Sequence, residues 1–255
     1  MKIVGILSAH DESPAWLAAA VTGFARVCDA IVYCEGAYAL YPGARPRSHP
    51  VQAEAVMLAC ESADVECVIH RPKDVYFGNE VEKRNQTLRL AGALQPDWVM
   101  VFDADYHVMR CEPDVVRDML EQTDCNVATY TLMDGMDVLA QDFTAELATQ
   151  IDLSTEWTCR TRDIYRWTPD LSYGPAHFTV CGTYDGELQW VRGPELVKSG
   201  APVPPACLLE AALVATHRTK DRAKIRRDAA AEYYANRDAA GLEVLVDDWA
   251  LEFAL

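Results

Sequence analysis

The sequence predicts an α/β protein: a mixed, mostly parallel sheet flanked by helices, with a small antiparallel segment and a C-terminal helix. Three observations lead there. Strand-like and helix-like stretches alternate through the first 125 residues. The apolar run Trp98-Val-Met-Val-Phe102, entered from Pro96-Asp97, has the composition of a strand buried on both faces. From residue 154 to 192 the chain becomes rich in Trp, Tyr, Thr and Gly and loses helical spacing, as short antiparallel strands do.

Taken in order, Lys2–Ser8 reads as the first strand. Pro14–Val27 follows as a helix, with Trp16, Leu17, Ala20, Val21 and Phe24 on one face, Ser13 at its N-cap and Pro14 in its first turn. Ala30–Cys34 is a second strand ending at Glu35-Gly36, and a loop rich in Tyr, Pro, Gly and Arg runs from Ala37 to Pro50. A helix at Val51–Ser62, a strand at Val65–His70, a helix at Asn79–Leu94 and the strand Trp98–Phe102 complete the alternation. Strands separated by helices of this length imply parallel pairing through right-handed crossovers. A helix at Pro113–Gln122 and a strand at Asn126–Leu132 come next. Asp185-Gly186 is a hairpin signal, and the proline-rich Gly200–Pro205 closes the antiparallel segment. The last helix is expected from about Asp221 to Arg237.

Length and composition narrow the function classes. With 255 residues and half of them apolar, one large domain is expected, with sections at 1–125, 126–216 and 217–255. The apolar stretches are too short to span a bilayer, and the N-terminus reads as a strand without the features of a signal peptide. Nine cysteines without a Cys-x-x-Cys pair point to reduced, mostly buried thiols in a cytoplasm rather than to a zinc cluster. A net charge of −16 argues against general affinity for nucleic acid or anionic membrane. One basic island stands out, His217-Arg-Thr-Lys-Asp-Arg-Ala-Lys-Ile-Arg-Arg227, with six Lys or Arg in eleven residues.

The chemistry-bearing residues gather around the strand ends. Asp103-Ala-Asp105 follows the buried strand, and alternation along a strand would point both carboxylates the same way. Ligands lie beyond the carboxyl ends of strands in open α/β sheets, where two carboxylates hold a divalent cation against a phosphate. His217 is an acceptable further ligand for Mn²⁺ or Mg²⁺. Arg218 and Arg222, at the start of a helix, suit phosphate oxygens. Arg84, near the start of the helix feeding the Asp103 strand, is within reach of the aspartates or a phosphate. Ser8 to Glu12 and Glu35 occupy the loops where a nucleoside would lie. The solvated-face reading of the basic run, and plain polar loops elsewhere, are the structural alternatives.

Together these residues resemble the GT-A glycosyltransferases, in particular inverting family 2. Asp11-Glu12 matches the family's Asn-Glu after strand one, Arg84-Asn85 its Arg-Asn helix and Asp103-Ala-Asp105 its Asp-x-Asp. His217, with Arg218 and Arg222, matches its late histidine and basic residues. Glu35 stands where the family carries the acidic residue that touches the nucleobase or ribose, and is a departure. The resemblance covers residues 2–240. It implies a UDP- or GDP-type sugar donor, with Ser8, Glu12, Glu35, Arg84, Asp103, Arg218 and Arg222 on the donor. It implies Mn²⁺ or Mg²⁺ held by Asp103, Asp105 and His217. The family's Glu-Asp signature for the catalytic base is not visible, and Asp163 and His177 are the candidates in the right region. The acceptor stays open among a protein, a small glycoside and a modified DNA base. Duplex DNA is disfavoured by charge, although Arg45, Arg47 and the basic run offer a local contact surface. The competing readings are a nucleotidyltransferase, a haloacid-dehalogenase-type phosphatase using Asp103 and Asp105, and a non-catalytic sugar-nucleotide binder.

Overall fold

The computed structural model describes residues 1–39, 45–72, 77–133, 158–174, 179–192 and 204–217, the backbone alone at 158–162, 210 and 217. The chain is a mixed α/β protein with a mostly parallel sheet flanked by helices and a small antiparallel sheet. The first half alternates β1 (Ile3–Ala9), α1 (Pro14–Phe24), β2 (Ala30–Glu35), α2 (Pro50–Ser62), β3 (Glu66–His70), α3 (Glu80–Gly92) and β4 (Trp98–Phe102). Then come β5 (Tyr106–Cys111), α4 (Pro113–Gln122), β6 (Val127–Met133), β7 (Thr158–Arg166), β8 (Ser172–Tyr173), β9 (Val180–Tyr184) and β10 (Glu187–Arg192). Two short strands, β11 (Ala206–Leu208) and β12 (Leu213–His217), flank a single 3-10 turn at Glu210–Ala212.

The large sheet has the order β3-β2-β1-β4-β7-β6-β12-β5, with β11 also on β6. β3, β2, β1 and β4 are parallel. β7 enters between β4 and β6 antiparallel to both, so β4 and β6 run the same way. β6 takes β11 and β12 in parallel along one edge, and β12 takes β5 antiparallel. The small sheet orders β10-β9-β8.

Burial explains which strands the sequence announces. Every residue of β2 and β4, and all but one of β1, is buried, so these strands appear as unbroken apolar runs. A core under α1 and α2 stacks Phe24 on Phe102 at 4.4 Å. A second core on the other face gathers Val99, Val101, Leu88 and Tyr165. Gly5 lies where β1 is tightest: a Cβ there would stand 2.6 Å from Ile31 Cδ1. Neither β5 nor β12 is expected from the sequence; β5 interleaves His, Met and Arg, and its four central residues are half-buried. The Asp185-Gly186 signal holds, with both residues at positive φ, 52° and 82°, between antiparallel β9 and β10. The expected helix at 221–237 and most of Gly200–Pro205 lie outside the described residues.

Candidate functional site

β1, β2, β4, β6 and β12 all end at one edge of the large sheet, and β5 starts there. At that edge the chain turns sharply: β4 stops at Phe102, and the Tyr106 N–H donates to the Asp103 carbonyl at 3.1 Å. Asp103 and Asp105 therefore sit on a tight turn rather than on a continuing strand, and the expectation that they share a direction through alternation gives way. Their surroundings differ: Asp103 keeps a third of its side chain exposed, while Asp105 is 1% exposed. The β12 ladder sets the His217 backbone directly across from Tyr106. Asp103, Asp105 and His217, although 114 positions separate the first from the last, thus meet at one corner of the backbone. Among the described residues no group of three His, Cys, Asp or Glu side chains is arranged to hold a metal ion.

The start of α3 supplies the neighbouring cations. Its N-cap Asn79 accepts from the Glu82 N–H at 2.8 Å, and Glu82 reaches back to the Gly78 N–H at 2.6 Å, fixing the first turn. Arg84 then bridges Glu80 at 2.8 Å and Asp103 at 3.4 Å, its guanidinium carbon 5.7 Å from the Tyr173 ring. Burial works against the Arg84 charge, and Glu80 and Asp103 more than restore it. Asn85 makes a two-way clamp with the Tyr173 backbone, donating to its carbonyl at 3.2 Å and accepting from its N–H at 2.7 Å. The Arg-Asn pair expected from the sequence thus splits its work: Arg84 holds the aspartate turn, and Asn85 fastens the small sheet to the helix.

Across β1, the ends of three strands meet at Ser48. Its N–H donates to the fully buried Glu35, its carbonyl accepts from Arg71 Nη2 at 3.0 Å and its Oγ accepts from the Asp11 N–H at 2.8 Å. The same Oγ meets His10 Nδ1 at 3.2 Å. Arg71 Nε closes the set on the other Glu35 oxygen. Both oxygens of Glu35 are therefore engaged by the loop and by Arg71. Burial, then nearby Lys83, lowers the His10 pKa to about 4, so the ring is neutral near neutral pH. Ser8 Oγ bonds Thr87 Oγ1 at 2.8 Å, and Glu12 is buried with its N–H on Gln52 Oε1 at 3.0 Å. Arg45 faces Asp11 at 4.0 Å with both side chains exposed, and Arg47 donates to the Pro72 carbonyl at 2.5 Å.

On the far side of β4, Asp163 of β7 is buried and held by Arg192 of β10 at 2.5 Å. Tyr106, Tyr165 and Tyr173 surround this pair electrostatically; burial pushes the Tyr106 hydroxyl up, with Asp103 and Asp163 adding to it. The positions of His177, Arg218 and Arg222, and the side chain of His217, lie outside the described residues. Ser48, Arg71, Lys83 and Arg192 were not among the expected site residues. Lys83 alone carried a sequence signal: it occupies the buried stripe of α3 with Thr87, Leu88 and Ala91, where an aliphatic side chain would be ordinary.

No family model matches the chain, and no curated protein matches it. Among solved structures, Staphylococcus aureus TarS is 13% identical over 65% of this chain and 28% of its own, with a TM-score of 0.40. This chain spans 47% of a shorter TarS structure, residues 1–349, at the same identity and TM-score. Glucosyl-3-phosphoglycerate synthase from Mycobacterium tuberculosis, in complex with Mn²⁺, UDP-glucose and phosphoglyceric acid, is 12% identical. That match covers 96% of this chain and 81% of the synthase, with a TM-score of 0.45.

Proposed function

We propose that the chain is a metal-dependent glycosyltransferase, a single catalytic domain that moves a hexosyl group from a UDP- or GDP-type sugar to an acceptor hydroxyl. One observation carries the reading. The Asp103–Asp105 turn, the Arg84 guanidinium and the His217 backbone converge at the carboxyl edge of the sheet. They stand beside the crevice between β1 and β4, where the strand order reverses and α/β sheets bind their ligands.

The donor set fits a hard divalent cation: two carboxylates on one turn, with an imidazole-bearing residue on the facing strand. Asp103, Asp105 and His217 would hold Mn²⁺ or Mg²⁺, which when bound neutralises charge on a departing diphosphate. Arg84, anchored by Glu80, orients Asp103. Arg218 and Arg222 meet phosphate oxygens, and Ser8 and Glu12 border the nucleoside. In an inverting course the acceptor oxygen bonds to the anomeric carbon as the bond from that carbon to the diphosphate oxygen breaks. The acceptor proton passes to Asp163 or His177.

Thermal unfolding against UDP, GDP and their sugars, each with and without Mn²⁺, tests this. A ligand at one hundred times its dissociation constant adds about 2.7 kcal/mol to the native state. A metal-dependent rise with one nucleotide family supports the transferase. Flat unfolding with every nucleotide removes the donor site.

A further inference from the structure

Lys83 is a fully buried lysine on the apolar stripe of α3. Its side chain is 1% exposed, and among the described residues it has no ion-pair partner. Its Nζ donates to the Ala9 carbonyl at 2.7 Å, at the carboxyl end of β1, and lies 5.7 Å from the centre of the half-exposed Tyr38 ring. An ammonium carries three N–H groups, and a carbonyl and a ring face leave it under-coordinated for a buried charge.

Its direction is informative. Arg84, the next residue, turns toward β4 and the aspartate turn, whereas Lys83 turns to β1 and the end of β2. The groups facing it are His10 from the β1 loop, Cys34 and Glu35 from β2, and Glu80 and Arg84 from its own helix. Glu35 is already bound on both oxygens. Diphosphate chemistry belongs at Asp103 and Asp105, so the space at the β1 and β2 ends falls to the nucleoside.

Building on the glycosyltransferase reading, we propose that Lys83 is a specificity residue for the donor nucleobase, its ammonium donating to a keto oxygen of the base once the Tyr38 ring turns aside. A lysine only donates, so it favours bases with a ring carbonyl, uracil or guanine, over adenine, whose exocyclic nitrogen also donates. Burial lowers the Lys83 pKa to about 8, against the opposing influence of Cys34, Glu80 and Glu35. A keto oxygen bound to the ammonium raises it again, so binding near pH 8 draws a proton from solution.

The test measures UDP, GDP, ADP and inorganic diphosphate binding by calorimetry, with Mn²⁺, to wild type, Lys83→Met and Lys83→Arg. Wild type is expected to prefer UDP or GDP over ADP by at least tenfold, with proton uptake at pH 8 shown by repeating the titration in buffers of different ionisation heat. Lys83→Met should lose the preference and the uptake while keeping its diphosphate affinity, and Lys83→Arg should recover part of the preference. Unchanged preference in folded Lys83→Met overturns the proposal. A tenfold loss of diphosphate affinity in that variant also overturns it, by moving Lys83 to the phosphates. If wild type binds diphosphate but no base preferentially, Lys83 fails alone; if it binds none of the four, the glycosyltransferase reading fails first.

Discussion

Asp103 and Asp105 are two residues apart and do different work. Asp103 is open to solvent and steered by Arg84, whereas Asp105 is sealed into the turn. We predict that Asp105→Asn, nearly the same in shape, lowers metal-dependent turnover about a hundredfold to a thousandfold, the scale of several kcal/mol of charge stabilisation. Its urea midpoint should stay close to wild type; wild-type turnover in the folded variant would remove Asp105 from the site. The pair itself was readable because it ends an apolar run. Its geometry was not, because a turn at 103–106 follows from β5 pairing with β12, more than a hundred residues later. Glu35 illustrates the same limit: its position at a strand end was legible, but its commitment to Ser48 and Arg71 depends on a loop and a strand brought up by the fold.

Among elements, the strands buried on both faces declared themselves, as did the edge strand β3, whereas β5, β11 and β12 did not. β4 appears with the boundaries expected, Trp98–Phe102, and α4 likewise at Pro113–Gln122. β5, β11 and β12 are short, partly exposed or both, and their pairing rests on the fold rather than on a local pattern. The attachment of the small sheet to α3 was equally hidden, since it depends on Asn85 and a backbone 88 residues away. We predict that Asn85→Ala costs roughly 1–3 kcal/mol, as two hydrogen bonds to a half-buried backbone are lost. Amide exchange should speed up in β8 to β10 ahead of β1 to β4. Uniform acceleration across both sheets would contradict the clamp.

At the scale of the molecule, acid sensitivity follows from His10. Its ordinary pKa of 6.5 falls to about 4 on folding, so between those values the unfolded chain binds more protons. The stability it contributes is present above pH 6.5 and is lost as the pH drops toward 4. Urea midpoints of wild type and His10→Gln should therefore converge on acidification through this window, with the carboxylates common to both proteins cancelling. A gap that stays constant from pH 7 to 4 would show that His10 does not titrate differently on folding.

The Glu35, Arg71 and Ser48 arrangement also bears on how the sheet assembles. β3 is an edge strand whose residues are exposed or half-buried, so apolar patterning specifies its register weakly. The ladder pairs Cys34 with His70, which makes Glu35 and Arg71 the next rung, and there an ion pair stands in for a backbone pairing. A slip of one residue would carry the guanidinium off that rung and leave a sealed carboxylate without its cation, a penalty of about 3–5 kcal/mol. The strand is thus counted into place from its end, by charge.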